Sequence, residues 1–95
     1  ADKSFKIAED MIKRHAEEVG DELPALVTSA LCYCIAQGDL KKMTSLLKNK
    51  QAGVANRAAL SACADAKGDQ EIVALLKEKN LYTLERDAAN DEALS

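Results

Sequence analysis

Two stretches of the chain share one pattern, and this internal similarity constrains the fold more than any other feature. Residues 30–49 read ALCYCIAQGDLKKMTSLLKN and residues 59–78 read ALSACADAKGDQEIVALLKE. Each begins with Ala-Leu, passes through small residues to a Gly-Asp pair, and continues into a run that contains Leu-Leu-Lys. Gly38 and Gly68 are 30 residues apart, a period at which helical repeats occur. The pattern predicts two antiparallel helical hairpins that turn at Gly-Asp; the alternative is coincidence in a helical chain rich in Ala and Leu.

The composition favours an all-α fold. Seventeen alanines and twelve leucines supply strong helix formers, whereas Phe5, Tyr33 and Tyr82 are the only aromatic residues. Four glycines and one proline leave few residues for long connections, and 95 residues suffice for one hydrophobic core. We therefore predict a single helical domain over residues 1–86 and a frayed acidic tail over residues 87–95.

The spacing of apolar residues predicts about five helices. The first, over residues 3–19, is amphipathic, and Gly20 is expected to end it. Asp21 is expected to cap a second helix, which holds Pro24 in its first turn and runs to about Gln37. The first helix presents one apolar stripe, formed by Phe5, Ala8, Ile12, His15 and Val19. We expect this N-terminal amphipathic helix to close one side of the two hairpins.

The remaining helices follow from the two Gly-Asp pairs and one short connection. Asp39 is expected to cap a third helix that runs to about Lys50. A fourth helix spans about residues 54–67, and a fifth spans residues 70–79 and ends at Asn80. The far side of the second helix carries small residues, namely Ala25, Ser29, Cys32 and Ala36. We therefore expect this helix to be covered on both sides. The five helices together form a small α-solenoid or a bundle.

The repeated stretches resemble helical-hairpin repeat families. The run GDQEIVALLKEKN resembles the second helix of an ankyrin repeat, and ALCYCIAQGDL resembles the end of its first helix and the turn. The Thr-Pro-Leu-His opening of the ankyrin consensus is absent from both copies. The stretch LVTSALCYCIAQGDLKKMTSLLK is also similar to pentatricopeptide and tetratricopeptide hairpins. The resemblance implies stacked antiparallel helix pairs, which bind proteins or RNA.

No catalytic or metal-binding motif stands out. The chain has no Gly-rich phosphate loop, no Cys-x-x-Cys and no His-Glu-x-x-His, and His15 is expected to be a partly buried structural residue. Cys32 and Cys34 are two residues apart on a predicted helix, so their thiols point to opposite sides. With Cys63 they make an odd number and no disulfide framework, and we interpret all three as buried small residues. We therefore expect a non-enzymatic protein with no catalytic residue, cofactor, metal ion or small-molecule substrate.

The candidate functional residues are consequently surface residues. We predict a protein-interaction or adaptor module whose partner is another protein, with Ala58 and Ala62 as contact residues because they face outward on the fourth helix. The alternative is an RNA-binding helical repeat that uses a basic face of Lys41, Lys42 and Lys48. The net charge of −3 and the few aromatic residues speak against RNA.

Three further expectations concern the setting of the protein. No apolar stretch approaches the ~20 residues that a membrane span needs, so we expect no membrane partner. The unpaired cysteines indicate a reducing, cytoplasmic location. The chain does not begin with Met, and we expect a processed chain or a part of a larger protein or complex.

Overall fold

The computed structural model describes residues 2–83, which fold into five helices of eight residues or more and one single-turn helix. The helices are α1 (Asp2–Arg14), α2 (Ala16–Val19), α3 (Leu23–Gln37), α4 (Leu40–Leu47), α5 (Arg57–Lys67) and α6 (Gln70–Glu78). A 3-10 turn at Gly20–Glu22 lies between α2 and α3, and another at Lys50–Val54 lies between α4 and α5. Residues 2–83 contain no strand, so the predicted all-α fold is confirmed. The predicted acidic tail and residues 84–86 lie outside the described residues.

The two Gly-Asp pairs turn one helix into the next, as predicted. Gly38 and Gly68 adopt left-handed conformations, with φ of +68° and +74°, and each ends a helix. The side chain of Asp39 accepts a hydrogen bond from the backbone N–H of Lys42 at 3.0 Å. Asp69 accepts from the second residue of α6, Glu71, also at 3.0 Å. Because each aspartate satisfies an otherwise unpaired N–H, α3/α4 and α5/α6 form two hairpins with two-residue connections.

The helix α3 lies at the centre of the molecule. It packs against α1 through Tyr33, whose ring stacks on Phe5 with 5.5 Å between ring centroids. It packs against α5 through Cys32, and α4 folds back on it after the Gly-Asp turn. Six of its residues are buried: Leu23, Val27, Ala30, Leu31, Cys34 and Ile35. The core is therefore built around α3, with α1 and α5 on different sides of it.

Three contacts show that α3 and α5 run parallel to each other. Near their N-termini, the backbone N–H of Asn56 donates to Thr28 Oγ1 at 2.8 Å. In the middle, the sulfurs of Cys32 and Cys63 are 2.9 Å apart. At their C-termini, a methyl group on Gly38 would lie 3.5 Å from Lys67 Cε. These pairs are separated by 28, 31 and 29 residues, which is close to the spacing of the repeated sequence pattern.

The N-terminal helix ends earlier than predicted. α1 stops at Arg14, because His15 leaves the helical conformation at φ −126° and ψ +26°. The His15 side chain is 45% exposed, and its Nδ1 lies 3.2 Å from Glu18 Oε1. The predicted partly buried histidine is therefore wrong. Asp21 is not an N-cap either, since it lies within a 3-10 turn and α3 begins without a side-chain cap.

The third and fourth helices are also shorter than predicted. α4 ends at Leu47, and the chain then forms the 3-10 turn Lys50–Val54. α5 starts at Arg57 rather than near residue 54, because the side chain of Asn56 accepts a hydrogen bond from the N–H of Ala59 at 3.1 Å. Asn80, with φ of +59°, ends the last hairpin as expected.

One described stretch, Ala16–Gln37, meets the length and composition of a membrane-spanning helix, contrary to our expectation from the sequence. Its most apolar 18-residue window has a mean hydropathy of 1.3, and 33% of that window is buried within the fold. A helix that is apolar on most sides is either a core helix or a span. Because α3 supplies six core residues, its composition fits its central position in this fold.

Candidate interaction surface

The helix α3 carries an uncharged strip on its solvent side. None of its fifteen residues is charged, although Ala25, Ser29 and Ala36 are exposed. The expectation that this helix is covered on both sides is therefore wrong: of the four small residues on its far side, Cys32 alone is half-buried, by α5. Exposed helix positions usually carry Lys or Glu, so an exposed strip without charge is unusual for the surface of a helix.

The helix α5 extends this strip with alanines. It contacts α3 through the half-buried residues Ala59 and Cys63, and Ala58, Ala62 and Ala66 next to them are exposed. The two candidate contact residues from the sequence thus lie on the surface and not in the core. We refer to the exposed small residues of the two parallel helices as the small-residue face: Ala25, Ser29, Ala36, Ala58, Ala62 and Ala66.

A shallow groove between α1 and α3 adjoins the small-residue face at Ser29. Its walls are mostly apolar, and Phe5, Ala8 and Tyr33 contribute to them. On the solvent side of α1, Ile7 is 62% exposed, which is the largest exposure among the large apolar side chains of residues 2–83. The groove therefore extends the apolar surface of α3 to α1, whereas Ile7 lies on the opposite side of α1 from Phe5.

The predicted basic face is divided in the structure. Lys41 and Lys48 line one side of α4 together with Thr44, and Lys13 reaches the same side by donating to Ser45 Oγ at 3.2 Å. Lys42 points elsewhere: its ammonium lies 5.2 Å from the ring centroid of Phe5 and 3.9 Å from Asp39 Oδ2. The prediction of a single face with all three lysines is wrong, because Lys41 and Lys42 are neighbours on a helix and point about 100° apart.

Two cysteines come together between the hairpins, which the repeated pattern in the sequence does not indicate. The sulfur of Cys32 lies 2.9 Å from that of Cys63 and 4.0 Å from the carbonyl oxygen of Ala59. Burial, and then the neighbouring Cys63 thiol, raise the pKa of Cys32 to about 12. Cys34 is fully buried in the core, and burial raises the pKa of its thiol to about 11. Both thiols are therefore protonated at neutral pH.

No group of three or more metal-binding side chains occurs within residues 2–83. The only described histidine, His15, has two carboxylates nearby, Glu18 at 3.2 Å and Asp10 at 3.8 Å. The three side chains are at least 45% exposed and lie around the break between α1 and α2, and the pairs are ordinary surface contacts that contribute little to stability.

The chain was compared with protein-family models, with curated proteins and with solved structures, and none of the three comparisons finds a significant match.

Proposed function

We propose that this protein is a non-catalytic protein-interaction or adaptor module built from stacked helical hairpins, acting in the cytoplasm as part of a larger protein or complex. The parallel packing of α3 on α5 supports this proposal most directly. The first helices of the two hairpins contact each other at separations of 28 to 31 residues, which is close to the 30-residue period of the repeat. Stacked hairpins of this kind share one core and leave extended faces for partners.

The small-residue face is the surface that we propose for the partner. A partner that covers Ala58 and Ala62 displaces water from apolar side chains and desolvates no charge at these positions. Small side chains also let a second helix approach closely, near the short end of the usual 8–10 Å between helix axes. The proposed partner is therefore a protein segment with an apolar helical face.

The resemblance to repeat families also supports a protein-interaction module. Ankyrin, tetratricopeptide and pentatricopeptide hairpins stack in arrays, and an array of two hairpins leaves a terminal hairpin with an open side. In this chain α5/α6 is the terminal hairpin of the described residues, and it carries Ala58 and Ala62. We propose membership of this broad class, with an ankyrin-like hairpin as the first choice.

Replacing Ala62 with arginine is expected to weaken partner binding by roughly tenfold or more, equivalent to about 1.4 kcal/mol, because a long charged side chain would then have to be buried or displaced. Ala58→Arg should act in the same way. The measurement is affinity capture with the tagged full-length chain from an extract of its native source. Partners are quantified by mass spectrometry, and circular dichroism verifies that the variants are folded.

Ala74→Arg is the matched control, since Ala74 is also an exposed helical alanine but lies on α6, outside the small-residue face. Arginine is a good helix former, so the three variants should keep the helicity of the wild type. A partner retained by Ala74→Arg and lost by Ala62→Arg supports the proposal. Equal capture by all three variants, or unfolding of Ala62→Arg, contradicts it.

RNA binding is the second candidate, favoured by Lys41 and Lys48 on one side of α4 and by Lys13, which reaches this side from α1. Under the protein-interaction proposal, we expect no complex with single-stranded RNA in a gel-shift assay at low salt and micromolar protein, conditions that favour phosphate contacts. A shifted band that disappears with added salt and in the double variant Lys41→Glu, Lys48→Glu would instead favour RNA binding.

A further inference from the structure

We propose that Cys32 and Cys63 form a reversible disulfide that links the two hairpins through α3 and α5. Their sulfurs are 2.9 Å apart across the contact between these helices. A disulfide requires about 2.05 Å, so a shift of less than one ångström brings the sulfurs to bonding distance. The third thiol does not compete with this pair, because Cys34 is fully buried in the core.

Access distinguishes this pair from the third cysteine. Cys32 and Cys63 are half-buried and reach the surface beside the small-residue face, whereas Cys34 is fully buried. A small oxidant can therefore approach Cys32 and Cys63 without opening the core. All three cysteines are free thiols in the structure.

The oxidant is a low-molecular-weight disulfide of the glutathione type. The Cys63 thiol loses its proton, and its sulfur attacks a sulfur of this disulfide. The small S–S bond breaks, and the expelled thiolate takes up the proton that Cys63 lost. The Cys32 thiol then gives up its proton as its sulfur attacks the mixed disulfide on Cys63. The Cys32–Cys63 bond forms, and the second small thiolate leaves and takes up that proton. The two protein thiols are oxidised and one small disulfide is reduced to two thiols. The reverse exchange restores the free cysteines.

The link would hold the stacked hairpins together. It joins residues 31 positions apart and closes a loop that contains the Gly-Asp turn, all of α4 and the connection to α5. Closing a loop of this length restricts the unfolded chain and stabilises the fold. The bond also fixes α3 against α5 directly beneath the small-residue face, so oxidation would make that face more rigid.

The test uses the full-length wild-type chain, incubated with oxidised glutathione and then unfolded in denaturant with N-ethylmaleimide to block free thiols. Peptide mapping without reductant should identify one linkage, between Cys32 and Cys63, with Cys34 blocked as a free thiol. The midpoint of thermal unfolding should rise by roughly 10–20 °C and return to its original value with dithiothreitol.

Two kinds of variant separate the pair from the third thiol. Cys34→Ala should keep both the linkage and the thermal shift, whereas Cys63→Ala and Cys32→Ala should lose both. Because the wild-type peptide map identifies the bonded residues by itself, the test stands even if a variant is poorly folded. A linkage to Cys34, a disulfide between two chains, or a reaction that stops at the glutathione adduct would overturn the proposal.

Discussion

Replacing Leu31 with alanine is expected to lower the free energy of unfolding by about 3 kcal/mol. The side chain of Leu31 has no exposed surface and lies on α3, which packs against α1, α4 and α5. Truncation removes apolar contact area and leaves a cavity. Several helices would have to shift in order to close that cavity. A domain of this size has a total stability of only about 5–10 kcal/mol, so the loss is a large fraction of it.

Urea denaturation followed by far-ultraviolet circular dichroism measures this loss, and Leu26→Ala is the matched control. Leu26 lies on the same helix but is half-buried, so its truncation should cost about 1 kcal/mol. Leu60→Ala, at a fully buried position on α5, should cost about as much as Leu31→Ala, with an unchanged slope against urea, if the two hairpins unfold as one unit. Equal costs for Leu26 and Leu31 would contradict the central position of α3.

The hairpin turns are the part of the fold that the sequence predicts best. A glycine in the left-handed conformation and an aspartate that caps the next helix act over three or four residues, so local chemistry decides the result. The structure places Gly38 and Asp39 at one turn and Gly68 and Asp69 at the other, as the repeated Gly-Asp pattern indicates. The start of α5 follows an equally local signal, the capping side chain of Asn56.

The errors at the N-terminal helix have a different cause. An apolar stripe continues in the sequence up to Val19, whereas the helix itself breaks at His15. The periodicity of apolar residues reports which face is buried, and a break at a single residue leaves this face nearly unchanged. Asp21 likewise has a side chain suited to capping, but the chain enters α3 through a 3-10 turn.

The candidate surface depends on packing between helices that are distant in sequence. Ala58 and Ala62 could be placed on the outer side of their helix from spacing alone. The parallel register of α3 and α5 places Ala25, Ser29 and Ala36 beside these two alanines. The same register brings Cys32 next to Cys63, and no local sequence pattern specifies it. The cation–π contact of Lys42 on α4 with Phe5 on α1 also depends on packing between helices that are distant in sequence, so the sequence does not predict it.

Alanine at Gly38 or at Gly68 is expected to destabilise the fold by about 1–2 kcal/mol, whereas alanine at Gly53 should be neutral or slightly stabilising. Gly38 and Gly68 have φ of +68° and +74°, a region in which the Cβ of an L-residue is strained. Gly53 lies outside that region, in the 3-10 turn Lys50–Val54, and a Cβ added there would have no neighbouring atom within 4 Å. Thermal or urea unfolding of the three variants gives the comparison.

The cause of the loss can be separated from simple crowding. A Cβ on Gly68 would have no neighbour within 4 Å, and one on Gly38 would make an ordinary contact with Lys67 at 3.5 Å. Equal losses at both positions therefore indicate backbone strain. Gly38→Asn should cost less than Gly38→Ala, because Asn tolerates the left-handed region and Asn80 already adopts it after α6, at φ +59°. If Gly38→Asn and Gly38→Ala lose the same free energy of unfolding, backbone strain is not the reason for glycine at this turn. The Gly-Asp pattern would then need another explanation.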